Sequence, residues 1–173
     1  MIPELGQLAL VLALLVATVQ GVVPLVGAAR RDATLMAFAR PAAITQFALV
    51  ALAFGCLAAS FLLSDFSVAN VAQNSFSALP APYKLAASWG SHEGSLLLWA
   101  LMLGGWSCAV ALRSKNLPAP MLARVLAVMG LVAVGFLLFL LLTSNPFERL
   151  VPAAAEGRDL NPLLQDPGMV LPP

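Results

Sequence analysis

Four stretches without a single charged side chain govern what this chain can fold into. They are bounded by Glu4 and Arg30, Arg40 and Asp65, Glu93 and Arg113, and Arg124 and Glu148, and hold 25, 24, 19 and 23 residues. A helix needs about 20 apolar residues to cross the hydrocarbon core of a bilayer, so each window suffices for one span. Their apolarity is continuous rather than alternating, which argues against a transmembrane barrel. Composition agrees: the 173 residues are 61% hydrophobic and 10% charged, against about 25% charged in a soluble domain. The expected fold is all-α, a polytopic membrane protein with four transmembrane helices over about 5–29, 41–64, 94–112 and 125–143. Gln7, Gln20 and Pro24 interrupt the first span, so parts of it are expected to kink or to face protein rather than lipid.

The polar segments complete the plan. An outer loop is expected over 65–93, since 66–83 is charge-free but rich in Ser, Asn, Gln and Pro, with one short interfacial helix around 68–73. From Ser144 onward prolines crowd the chain, which predicts an extended outer tail over 144–173. The apolar run Met169-Val170-Leu171 before Pro172-Pro173 reads as the start of something further, so the chain is expected to be the front part of a longer protein.

Charge orients the bundle. Arg30, Arg31 and Arg40 follow the first span, and Arg113, Lys115 and Arg124 follow the third, which makes six of the nine basic residues. Basic short loops face the cytoplasm, so the N-terminus, the 65–93 loop and the tail are expected outside. A signal peptide is disfavoured, because Glu4 stands where a basic leader segment would. A net charge of +1 gives no reason to expect a nucleic-acid partner.

Few residues carry chemistry. Cys56 and Cys108 lie inside predicted spans, where thiols act as small hydrophobes, and no C-x-x-C occurs. Gly104 and Gly105, with Gly130 and Gly135, read as positions of close helix packing. The informative stretch is Trp89-Gly90-Ser91-His92-Glu93-Gly94, which holds the only histidine at the mouth of the third span. His92 could ligate a metal or haem iron, relay a proton, or bond a backbone carbonyl. Trp89 offers a flat surface to a planar ligand and equally suits the aromatic belt of a membrane protein. Glu93 could orient the imidazole or complement the dipole of the helix it begins. One histidine cannot supply both axial ligands of a bis-histidine haem.

Several runs together resemble one family. They are Met1-Ile2-Pro3-Glu4-Leu5-Gly6, Trp89 through Trp99 reading WGSHEGSLLLW, Ala123-Arg124-Val125-Leu126-Ala127-Val128-Met129-Gly130, Thr143-Ser144-Asn145-Pro146-Phe147, and 157–168 reading GRDLNPLLQDPG. The chain resembles, from end to end, the N-terminal part of the CcmF family, the cytochrome c haem lyase subunits of cytochrome c maturation. The resemblance implies a multi-pass protein of the cell inner membrane with a periplasmic N-terminus. It implies a haem b cofactor in the full-length protein, and a part in forming thioether bonds between haem vinyl groups and the C-x-x-C-H cysteines of apocytochrome c. Implied partners are the haem chaperone of the pathway, thiol-handling and apocytochrome-binding maturation subunits, and apocytochrome c itself.

The departures bear on the site. The family's tryptophan-rich segment, roughly W-G-G-W-W-x-W-D, has no match here. The histidine that in the family follows Gln-Asp-Pro-Gly and precedes a Pro-Pro pair is not found between Leu171 and Pro172. The main haem ligands are therefore expected outside these residues, with His92, Trp89 and Glu93 in a supporting role. Two other classes of function are weighed beside this one: a proton- or ion-conducting subunit using His92 and Glu93 as a relay, and a membrane scaffold without haem.

Overall fold

In the computed structural model, residues 1–114 and 116–158 are described. Within them the chain is helical: α1 (Ile2–Arg30), α2 (Ala33–Ala37), α3 (Ala39–Leu62), α4 (Ala69–Asn74), α5 (Ala81–Gly90), α6 (His92–Arg113) and α7 (Ala119–Leu142). Four helical segments, Ile2–Arg30, Ala33–Leu62, His92–Arg113 and Ala119–Leu142, are long and apolar enough to cross a membrane. Helices α1, α3, α6 and α7 form a closed ring, α1 packing on α3 and on α7, with α6 closing the far side against both.

Small residues bring the helices together. Ala9, Ala13, Ala17 and Gly21 recur every four residues on the buried stripe of α1, and Ala123, Ala127 and Gly130 line that of α7. Without a hydrophobic drive between helices in lipid, such stripes allow the close approach that dispersion needs. The closest crossing is at Gly21 and Gly130, where a Cβ on Gly130 would lie 2.9 Å from the Gly21 backbone nitrogen. Gly104 and Gly105 meet Phe47 of α3 at ordinary contact distances. Gly135 departs from expectation: nothing lies within 4 Å of its Cβ position, and it floors an open groove with Leu96, Val132, Phe136 and Phe139. Glycine content marks where helices could approach, but the register of the neighbour decides where they do.

The interruptions in the first span resolve without a break, since α1 is continuous through Gln20 and Pro24, both buried. The amide of Gln20 faces protein and donates from Nε2 to the carbonyl of Leu126 on α7 at 2.8 Å. The core between the four helices holds Leu10, Leu57, Phe61, Leu97, Leu137 and Leu140, while Leu8, Leu15, Val22, Met102 and Trp106 stand exposed on its outside. An apolar exterior around an apolar interior is the pattern of a protein solvated by lipid.

The segment expected as a surface loop is instead packed onto the end of the bundle. Helix α4 forms one residue from the expected 68–73, but Val68 and Val71 are fully buried. The ten-residue helix α5 was not expected, because Pro80 and Pro82 read as loop signals. In the structure Pro80 is the N-cap and Pro82 falls within the first turn, where proline's fixed φ and missing N–H favour a helix start. The tail after α7 passes through turns and bends to residue 158 and pairs with the α3–α4 connection through an antiparallel bridge between Val68 and Arg149. Lys115, Asp159, Asn161, Asp166 and the 169–173 end lie outside the described residues.

Candidate functional site

The end of the bundle that carries Met1 gathers every element outside the spans except α2 and the α6–α7 loop. Three separated segments converge there on Arg149. Its guanidinium bonds Glu4 at the start of α1 and the hydroxyl of Ser67, and stands 3.7 Å from the carboxylate of Asp65. Glu4 also accepts the N-terminal ammonium at 2.5 Å. Asp65 turns back on its own loop, accepting from the Ser67 amide at 3.2 Å and from the Ser67 hydroxyl. Beside this hub, Ala69 N–H donates to Glu148 C=O at 2.8 Å and Leu150 N–H to Ser67 C=O at 2.9 Å. Phe147 is buried under Gly6, where a Cβ would lie 2.3 Å from its ring. The first turn of α1, the α3–α4 loop and the tail are thus one tied unit.

A second network lies on α5. Lys84 is 9% exposed, and its ammonium donates to Ser64 Oγ at 2.7 Å and Ser77 C=O at 3.0 Å. Ser77 in turn donates from its amide and hydroxyl to the two oxygens of Glu156, at 2.9 and 2.8 Å. The amide and hydroxyl of Ser77, then the Gly157 N–H, hold the Glu156 carboxyl below its usual range, and the charge of Lys84 adds to this. The tail then passes so close to α4 that a Cβ at Gly157 would lie 1.8 Å from Ser75 C=O, and Arg158 N–H donates to Ala72 C=O at 2.7 Å.

The Trp89–Gly94 stretch is the corner between α5 and α6. Ser91 adopts extended backbone and caps α6, its hydroxyl accepting from Gly94 N–H at 3.1 Å. The cap is therefore Ser91, while Glu93 stands in the first turn, where its charge suits the helix dipole. Gly94 has a strict reason to be glycine: a Cβ there would lie 1.8 Å from Ser88 C=O on α5. His92 is exposed, Glu93 and Trp89 half-buried, and among the hydrogen bonds of the described residues none joins the three side chains. The indole Nε1 of Trp89 is buried, with no hydrogen-bond partner among the described residues. The corner places the three residues on adjoining turns but leaves the imidazole to the outside.

The sole histidine is exposed, and no group of three or more His, Cys, Asp or Glu side chains within the described residues converges on one point. The residues that sequence reasoning missed are Arg149, Lys84, Glu4, Asp65, Ser67 and Glu156. One signal marks two of them: Lys84 and Arg149 are basic residues lying outside the two basic loops.

Spans, a tied polar end and an opposite end rich in arginine define a polytopic integral membrane protein. The model of the family described as "Cytochrome C assembly protein" matches residues 89–172, beginning at the tryptophan of the corner. The chain is 64% identical over 174 aligned residues to the cytochrome c-type biogenesis protein CcmF of Pseudomonas aeruginosa, covering 100% of this chain and 26% of that protein. It is 54% identical over 174 aligned residues to CcmF of Escherichia coli, again covering all of this chain and 27% of the relative. A solved structure, "Cytochrome c Heme Lyase CcmF", matches with a TM-score of 0.80 at 28% identity, over 86% of this chain and 25% of that one. The chain belongs to the CcmF family of cytochrome c biogenesis proteins. It spans about a quarter of the length of the curated relatives it matches.

Proposed function

We propose that this chain is a component of a cytochrome c haem lyase and serves the covalent attachment of haem to apocytochrome c at the periplasmic face. The observation that carries this reading is 64% identity along the whole chain to a CcmF protein. The part played by these residues is to hold a stage. Arg149, Glu4, Asp65 and Ser67 lock the outer ends of α1, the α3–α4 loop and the tail into one platform, and Lys84 with Glu156 fastens the tail further along. Trp89, His92 and Glu93 border the chamber in which attachment occurs, in a supporting role. The position of the corner supports this, since it opens α6 at the same end of the bundle as the platform.

Haem b bound in the full-length protein would supply the vinyl groups that form thioethers with the C-x-x-C-H cysteines, with Trp89, His92 and Glu93 beside it in a supporting role. The chain sits in the inner membrane with Met1 on the periplasmic side, which the arginines at the opposite end support. Its partners are the haem chaperone, thiol-handling and apocytochrome-binding maturation subunits, and apocytochrome c. A proton- or ion-conducting subunit is less well supported, because it would need ionisable groups deep in the spans, whereas Glu4, Arg30, Arg40, His92, Glu93, Arg113 and Arg124 lie within two turns of their helix ends.

A chimera tests the proposal. This chain replaces the matching quarter of the Escherichia coli relative in a strain lacking that protein, and covalent haem is measured in a c-type cytochrome. Restored attachment is expected. A chimera present at normal membrane levels that yields no covalent cytochrome c would overturn the reading.

A further inference from the structure

At the end of the bundle opposite the tied platform, a cavity of about 300 Å³ opens between α2, the start of α3 and the start of α7. Met36, Ala37, Leu117, Leu122 and Ala123 give it apolar walls, and Arg40 is the charged group among its lining residues. Arg40 is half-buried and spends one N–H on the carbonyl of Ser114 at 3.1 Å. A guanidinium has five N–H donors, and among the described residues no carboxylate pairs with this one. The acid of this end, Asp32, is occupied in capping α2 through Thr34 and Leu35 N–H. Arg30, Arg31 and Arg113 stand in the neighbouring helix ends and turns, so the potential around the cavity is positive. The cavity lies at the ends of the spanning helices, where α3 and α7 begin.

A half-buried guanidinium with spare donors, apolar walls beneath it and further arginines around it is complementary to a phosphodiester carrying acyl chains. Guanidinium binds phosphate in two parallel hydrogen bonds, and basic pockets between membrane helices take anionic headgroups. A free phosphate would use the cation but leave the apolar walls of Met36, Leu117 and Leu122 wet. We propose that this cavity is a binding site for one anionic phospholipid, with Arg40 on the headgroup phosphate and an acyl chain along the Met36–Leu122 wall.

The test uses the intact protein in nanodiscs made of mixed phosphatidylglycerol and phosphatidylethanolamine, followed by native mass spectrometry of the retained lipid. Wild type is expected to hold one phosphatidylglycerol in preference to phosphatidylethanolamine. Arg40→Gln should weaken that retention about five- to tenfold, the scale of one charged contact at a membrane surface. Arg124→Gln removes the same charge from an exposed site at the same end and should retain the lipid. Should Arg40→Gln fail to fold, Leu117→Asp sets a carboxylate at the cavity mouth on an exposed residue and should weaken retention as much. Equal retention in wild type, Arg40→Gln and Leu117→Asp would overturn the site, as would equal loss in Arg40→Gln and Arg124→Gln. Displacement of the lipid by millimolar inorganic phosphate would overturn the lipid as the ligand.

Discussion

Two glycines separate close packing from mere flexibility. At Gly94 an added methyl meets the Ser88 carbonyl at 1.8 Å, a rigid backbone atom. Gly94→Ala must therefore push α5 from α6, at a cost of about 1–3 kcal/mol for overpacking. At Gly135 the same methyl meets open space, and alanine's better helix propensity should stabilise by about 0.5–1 kcal/mol. Thermal unfolding of the two variants in one detergent is expected to move in opposite directions; parallel shifts would refute the packing at the corner. Gly94 could not be singled out from sequence, because the atom that forbids a side chain there belongs to a different helix. Its neighbour Ser91 could have been, since a serine three residues before the residue whose amide it accepts is an ordinary helix-start signal.

At the scale of elements, the tail is a strap rather than a spacer. Arg149 lies 145 residues from Glu4 in the chain and 82 from Ser67. Exposed ion pairs of this kind contribute little to global stability, so Arg149→Met should leave the four spans folded. It should instead free the strap, seen as faster amide hydrogen exchange over 148–158 with the spans unchanged. Unchanged exchange in the strap would mean that Phe147 and the backbone pairing with Ser67 and Ala69 hold it alone. Glu156 adds a pH dependence. Its folded-state pKa is depressed, so its contribution is present above the unfolded value and is lost as pH falls through the lower folded value. The Ser77 amide proton resonance should therefore titrate with a midpoint below 4.5, the ordinary value; a midpoint at or above it would contradict the contact. None of these ties was legible beforehand, since a salt bridge between distant segments leaves no local pattern. The helix α5 was hidden for a different reason: proline at a helix start and proline in a loop read alike until the following residues are seen to pack.

The whole bundle was legible because spanning a membrane is a property of each segment taken alone: length and lack of charge suffice. The order of the basic loops adds an orientation, which the fold leaves to experiment. Thiol labelling of cysteines placed at 117 and 153 in intact cells should reach position 153 from the periplasm and not position 117. The reverse pattern would invert the topology. Family membership was likewise legible, carried by runs such as WGSHEG whose glycine and serine now have structural reasons. The role of the histidine in that run was not, since its exposure comes from the corner between α5 and α6.

The central claim is that these residues support haem attachment without ligating the iron. Its most direct test is His92→Ala in the intact protein, with bound haem and covalent cytochrome c measured on the same membranes. Loss of a supporting group changes activity by about 10–100-fold without abolishing ligation, so cytochrome c maturation should fall by that order while the purified protein keeps its haem. Complete loss of haem at normal protein level would make His92 a ligand and contradict the account, and so would maturation at the wild-type rate.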